Sequence, residues 1–148
     1  MTRLPILIYA LIALSSLILG ALYIFSPTFM PYHGVAVGAE WSEVPPEYRV
    51  LIGALLDVAG GGWVALTLAL FALIAFPIRR GERWARYTAP LLVLAFNIPT
   101  LWATLNVFWY SPATPPWYGV AGTCAAALLA LAIDQPWREA ETPFAATD

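Results

Sequence analysis

One carboxylate, Asp57, falls inside a long apolar run, and its chemistry is the sharpest question in the chain. A carboxyl group in the centre of a bilayer costs on the order of 2.5–3.5 kcal/mol on insertion scales, so it is expected to face a helix bundle and to have a partner. Counted from Tyr48, it lies about 13 Å into the membrane, near the midplane. Gly53, Asp57, Gly61 and Ala65 recur every four residues and so share one helix stripe, whose small members let a neighbouring helix approach closely. Asn97 and Thr104, seven residues apart with Thr100 nearby, offer the expected partner on another apolar run. Pro99 frees the Ala95 carbonyl beside them. Asp57 would serve either as a proton or cation site or as a neutral acid that locks helix packing. With no second intramembrane acid or base to form a relay, the packing role is favoured. The Asn97–Thr104 patch is read in the same way. Interhelical hydrogen bonding is favoured over a polar pocket for a small head group or a quinone ring.

Other reactive residues carry weaker signals. Met30 and His33 lie three apart, and a thioether beside an imidazole could bind copper. The pair is not repeated, so an interfacial or capping role is expected for His33, and no metal. Glu40, Glu43 and Glu47 are spaced to share one face of a short surface helix. Cys124, the single cysteine, sits among alanines and reads as a small buried hydrophobe. Arg79, Arg80, Arg83 and Arg86 form a cluster that attracts anionic lipid head groups by about 1 kcal/mol per base. No nucleophile–base pair, phosphate-cradling loop or multi-ligand metal motif is present, so no enzymatic activity is expected.

The elements that must position these residues follow from composition. Of 148 residues, 61% are hydrophobic and 11% charged, against roughly 25% charged in a soluble domain. This is the composition of an integral membrane protein. Seven basic residues, all arginine, are offset by nine acids, so nucleic acid is not an expected partner. Four stretches reach the roughly 20 residues needed to cross a bilayer: 4–25, 48–76, 84–110 and 117–133. The first is longer than a signal-peptide core and is read as an uncleaved span. The third contains Pro90 and Pro99, and its beginning, Trp84 to Ala89, is expected to be an interfacial turn. The fold class is an all-α four-helix membrane bundle of one domain over 1–134, with a long loop at 26–47 and a short polar tail at 135–148. Six of the seven arginines fall on one side, which the positive-inside rule makes cytoplasmic, with both termini inside. The expected location is a bacterial inner membrane.

The fourth span repeats the small-residue spacing in Gly122, Ala126 and Ala130, and again in Gly119, Thr123 and Ala127. Its two faces are expected to contact the bundle and a second subunit. The stretch YRVLIGALLDVAGGG, with Tyr48 and Arg49 opening the second span and a glycine run following, resembles the DoxX-like group of small four-helix bacterial membrane proteins. The resemblance implies a role as an accessory protein or a partner of quinone-linked oxidoreductases. The leading expectation is a non-catalytic accessory, scaffold or assembly subunit, with membrane lipids and either a second copy or a larger complex as partners. The alternatives are a small transporter using Asp57 and a module that binds quinone, lipid or pigment. No cofactor is expected beyond bound lipid or quinone.

Overall fold

Each apolar stretch forms a single long helix in the computed structural model, which describes residues 3–138. Four helices are long and apolar enough to cross a membrane. Helix α1 is Arg3–Phe25, α3 is Pro46–Leu73, α4 is Arg83–Tyr110 and α5 is Trp117–Asp134, while the short α2, Pro31–Val37, lies in the long loop. The spans run alternately up and down, which puts both ends of the described chain on one side with the inter-span turn at 79–82. We call that side the arginine end and the opposite side the loop end. Of the predicted tail, 139–148 lie outside the described residues.

Local sequence explains where the helices begin and end. Pro46 occupies the first turn of α3, where a missing N–H costs nothing. At the far end, Pro77 cannot continue the α-helical ladder, and Ile74–Ile78 widen into a π-turn. Gly81 then reverses the chain at φ 77°, a conformation that favours glycine. Residues 84–89 are helical, contrary to the interfacial turn expected there. Pro90 falls at the eighth position of α4, and the helix passes through it.

Packing pairs α1 with α3 and α4 with α5, with α1 also lying against α5 and α3 more sparsely against α4. Three consecutive glycines settle how α3 meets its neighbours, because each faces a different direction. A Cβ on Gly60 would fall 2.6 Å from Ile24 Cγ1 and 2.9 Å from the Gly20 carbonyl, so α1 and α3 cross there in near-backbone contact. A Cβ on Gly62 would fall 2.6 Å from the Phe96 ring of α4, whereas Gly61 has open space around it. The expected packing stripe is thus displaced by one residue. Gly53 has open space around it and Ala65 is exposed; the close crossing belongs to Gly20 and Gly60. Thr67 strengthens the same crossing, its hydroxyl meeting the Ala13 carbonyl of α1 and the Trp63 carbonyl of its own helix, each at 3.0 Å.

Two apolar clusters result. The larger fills the arginine half with Tyr9, Leu70, Ala89, Val93, Ala127 and Ala130 among its members. The alanines of α4 and α5 in that cluster let the spans close with no space between them. The smaller sits under the long loop, where Phe29, Val44 and Leu56 are buried. Arg49 ties that loop to α3 by donating from Nε to the Val44 carbonyl at 2.7 Å and from Nη2 to the Ser42 carbonyl at 3.3 Å. Glu43 accepts the Glu40 N–H at 3.0 Å in a single 3-10 turn, while Glu47 begins α3 beyond two prolines. The three glutamates therefore do not share a helix face.

A candidate binding site at the loop end

Asp57 does not face the bundle. It is exposed on α3 and makes no hydrogen bond or ion pair among the described residues. Its depth also differs from the sequence estimate. Gly60 packs on Gly20 and Ile24, so Asp57, one turn further toward the loop end, stands level with the last turn of α1. The first turns of α3 project past α1 into the loop cluster, and counting from Tyr48 therefore overestimates the depth of Asp57. Asp57 therefore lies near the end of α1 and not midway along it.

Asn97 has no contact with Asp57. It is completely buried in α4, its amide donating to the Val93 carbonyl at 2.9 Å, and its Oδ1 has no partner among the described residues. Nor does Arg86 belong with the lipid-facing arginines. Arg79, Arg80 and Arg83 are exposed, but the Arg86 side chain is 2% exposed and paired with that of Asp134, which is 3% exposed. Nε reaches Oδ2 at 2.7 Å, and Nη2 reaches Oδ1 and the Asp134 carbonyl, both at 3.1 Å. This two-pronged contact locks the start of α4 to the end of α5. Asp134 falls just past the expected limit of the fourth span, 133, and was not among the expected site residues. The signal that could have found the pair was an acid ending the fourth apolar span at the same depth as an arginine opening the third.

Thr100 and Thr104 do come together with other groups, in a cavity of about 500 Å³. All four spans and α2 contribute to its wall, including Tyr23, Tyr32, Trp63, Phe96, Thr123 and Val120. On one side it is walled by the Trp63–Phe96 contact between α3 and α4, an edge-to-face pair with centroids 4.6 Å apart. Val58, 74% exposed, and Leu19, 37% exposed, stand on its rim, so it opens toward lipid. A volume between about 300 and 1,000 Å³ with mostly apolar walls and a few placed polar groups is typical of small-molecule sites.

Besides the Trp63 indole N–H, the polar groups are hydroxyls whose hydrogens are mostly committed. Thr100 donates to the Phe96 carbonyl at 2.8 Å, Thr104 to the Leu101 carbonyl at 2.9 Å and Thr123 to the Gly119 carbonyl at 3.0 Å. Over the loop-end mouth, the Tyr23 and Tyr32 hydroxyls are 2.8 Å apart and share one hydrogen bond. Burial, and then the bond to Tyr23, push the Tyr32 phenol far above its ordinary range, so it stays protonated. His33, with its ring 4.1 Å from that of Tyr32, accepts the Met30 N–H on Nδ1 at 3.3 Å. Burial lowers its pKa, consistent with a neutral ring in this capping role. No group of three or more His, Cys, Asp or Glu side chains gathers to hold a metal ion among the described residues.

The four spans and the buried charge pair at their arginine end define an α-helical integral membrane protein. No family model, curated protein or solved structure matches the chain.

Proposed function

We propose that this chain is a non-catalytic membrane protein that binds an apolar molecule in the cavity at the loop end, with access from the lipid beside Val58 and Leu19. One observation carries the reading: a space of about 500 Å³ bounded by every span, with hydroxyls on its wall and exposed residues at its rim. Close packing alone would have closed that space, as it does one turn deeper at Ala127. Native mass spectrometry of the gently extracted protein tests this. Wild type is expected to retain an apolar adduct that Gly119→Leu loses, since Gly119 lines the cavity and has room for a larger side chain. Wild type without an adduct, or an adduct unaffected by Gly119→Leu, would contradict the reading.

A role as an accessory subunit, as the likeness to the DoxX-like group implies, draws on a different observation. Gly61 and Ala65 on α3 and Gly122 on α5 are exposed, with open space around both glycines, so other helices can approach those faces closely. A second copy or a larger membrane complex would dock there, while the exposed Arg79, Arg80 and Arg83 meet anionic head groups. The arginine end would then be cytoplasmic, as the positive-inside rule holds. Transport through Asp57 gains no comparable support, because that carboxylate stands at the loop end with no relay beside it.

A further inference from the structure

We infer that the cavity selects a neutral apolar molecule bearing a hydroxyl group, an alcohol or phenol of the bilayer, and holds that hydroxyl toward the loop end. The inference rests on the binding reading above and adds the ligand's chemistry. No charged side chain lines the cavity among the described residues, so a phosphate or carboxylate head group would be buried there without a counterion. The ligand is therefore neutral.

Its hydrogen-bonding character follows from what the wall has left to offer. Thr100, Thr104 and Thr123 spend their hydroxyl hydrogens on backbone carbonyls of their own helices. What they present to the cavity is oxygen lone pairs, which accept. A ketone, ether or ester, which can only accept, leaves those lone pairs unmet, whatever it gains from a phenol O–H or the Trp63 indole N–H on the same wall. The tyrosine pair supplies the complement. One phenol hydrogen is used between Tyr23 and Tyr32, and the other has no acceptor among the described residues. An alcohol or phenol can accept that hydrogen and donate its own to a threonine, and so become fully paired. Depth sets the orientation. Thr104 and Pro116 lie at the loop end beneath the tyrosines, and the Trp63–Phe96 pair forms an apolar wall about two turns deeper. An apolar body against those rings leaves the hydroxyl at the end nearer water, the same direction an amphiphile adopts in the surrounding leaflet.

The test uses naphthol and its methyl ether, measured by equilibrium dialysis against nanodiscs of zwitterionic phospholipid with and without protein. Naphthol is expected to bind saturably, and the ether about tenfold more weakly, the value of one lost hydrogen bond of about 1.4 kcal/mol. Combining Thr100→Val with Thr104→Val should bring naphthol down to the ether's affinity and leave the ether unchanged. Thr104→Ser, which keeps the acceptor, should retain the preference, and each variant's thermal midpoint reports whether it is folded. Equal binding of the two probes to wild type would overturn the hydroxyl selection while leaving the cavity reading in place. Loss of both probes in a folded valine variant would also overturn it. No binding of either probe to wild type would overturn the cavity reading and the ligand class together.

Discussion

At the arginine end the spans are closed by small side chains and by the Arg86–Asp134 ion pair; at the loop end the same four helices line a cavity. Ala85, Ala89, Ala127 and Ala130 have no exposed surface, and Arg86 and Asp134 join their helices across the core beside them. Two turns away, threonines, tyrosines and a Trp–Phe pair line open volume. The difference shows that helix length and hydropathy do not settle how a bundle packs. Residue size and hydrogen-bond accounting do, level by level along the membrane normal.

Breaking the closed half should have the largest effect. Asp134→Leu removes the carboxylate that meets the buried Arg86 guanidinium at 2.7 Å, and removing one member of a buried pair costs about 3–5 kcal/mol. A large fall in the thermal midpoint is expected in detergent. Combining Asp134→Leu with Arg86→Met should recover much of it, because two apolar side chains leave no uncompensated charge. Equal losses in the single and double variants would assign the effect to packing instead.

Next comes the glycine triplet, which sharpens the comparison within one helix. Gly60→Ala places a methyl against backbone of α1 and should destabilise by about 1–3 kcal/mol, as overpacking does. Gly61→Ala, with open space around it, should stay within about 0.5 kcal/mol of wild type. Chemical unfolding of both variants checks this, and a reversal of their order would place α1 on the other face of α3.

This triplet is also where the sequence was hardest to read. Four long helices, their order and the spans' approximate limits were legible, because hydropathy over 20 residues depends on nothing beyond the segment itself. The facing of each residue was not. A run of three glycines fits three stripes equally well, and the regular spacing of Gly53, Asp57, Gly61 and Ala65 favoured the one that faces outward. Asp57 was placed too deep because the projection of α3 beyond α1 is set by the loop cluster around Phe29, Val44 and Leu56. Thr100 and Thr104 were legible as polar members of the third span, and they do reach a pocket. Tyr23, Tyr32 and Thr123 complete that pocket from other helices, and no spacing within one helix reveals such a meeting. Arg86 was counted with its neighbours because its burial depends on Asp134, 48 positions away.

A pH effect should be confined to the loop end. The unfolded chain takes up the His33 proton near pH 6.5, and the folded chain only at lower pH, because burial lowers the folded pKa. Between those values the unfolded state carries more protons, so the loop's stability is full above about pH 6.5 and falls as the pH drops below it. Hydrogen exchange should quicken in α2 on acidification, with the arginine half unchanged and with the response absent in His33→Gln. A small effect, close to the limit set for Gly61→Ala, is expected of Thr67→Val, which removes the hydroxyl contact with Ala13 for about 0.6 kcal/mol.

The claim that one half is hollow and the other packed is tested most directly by thiol accessibility on α5. In a Cys124→Ala background, cysteines are placed singly at Thr123, on the cavity wall, and at Ala127, one turn deeper and with no exposed surface. Methylmercury is small and apolar enough to reach either site through lipid if space exists. Fast reaction at position 123, slowed by naphthol, with little reaction at position 127 in the folded protein, is the predicted result. Equal rates at the two positions would contradict the account.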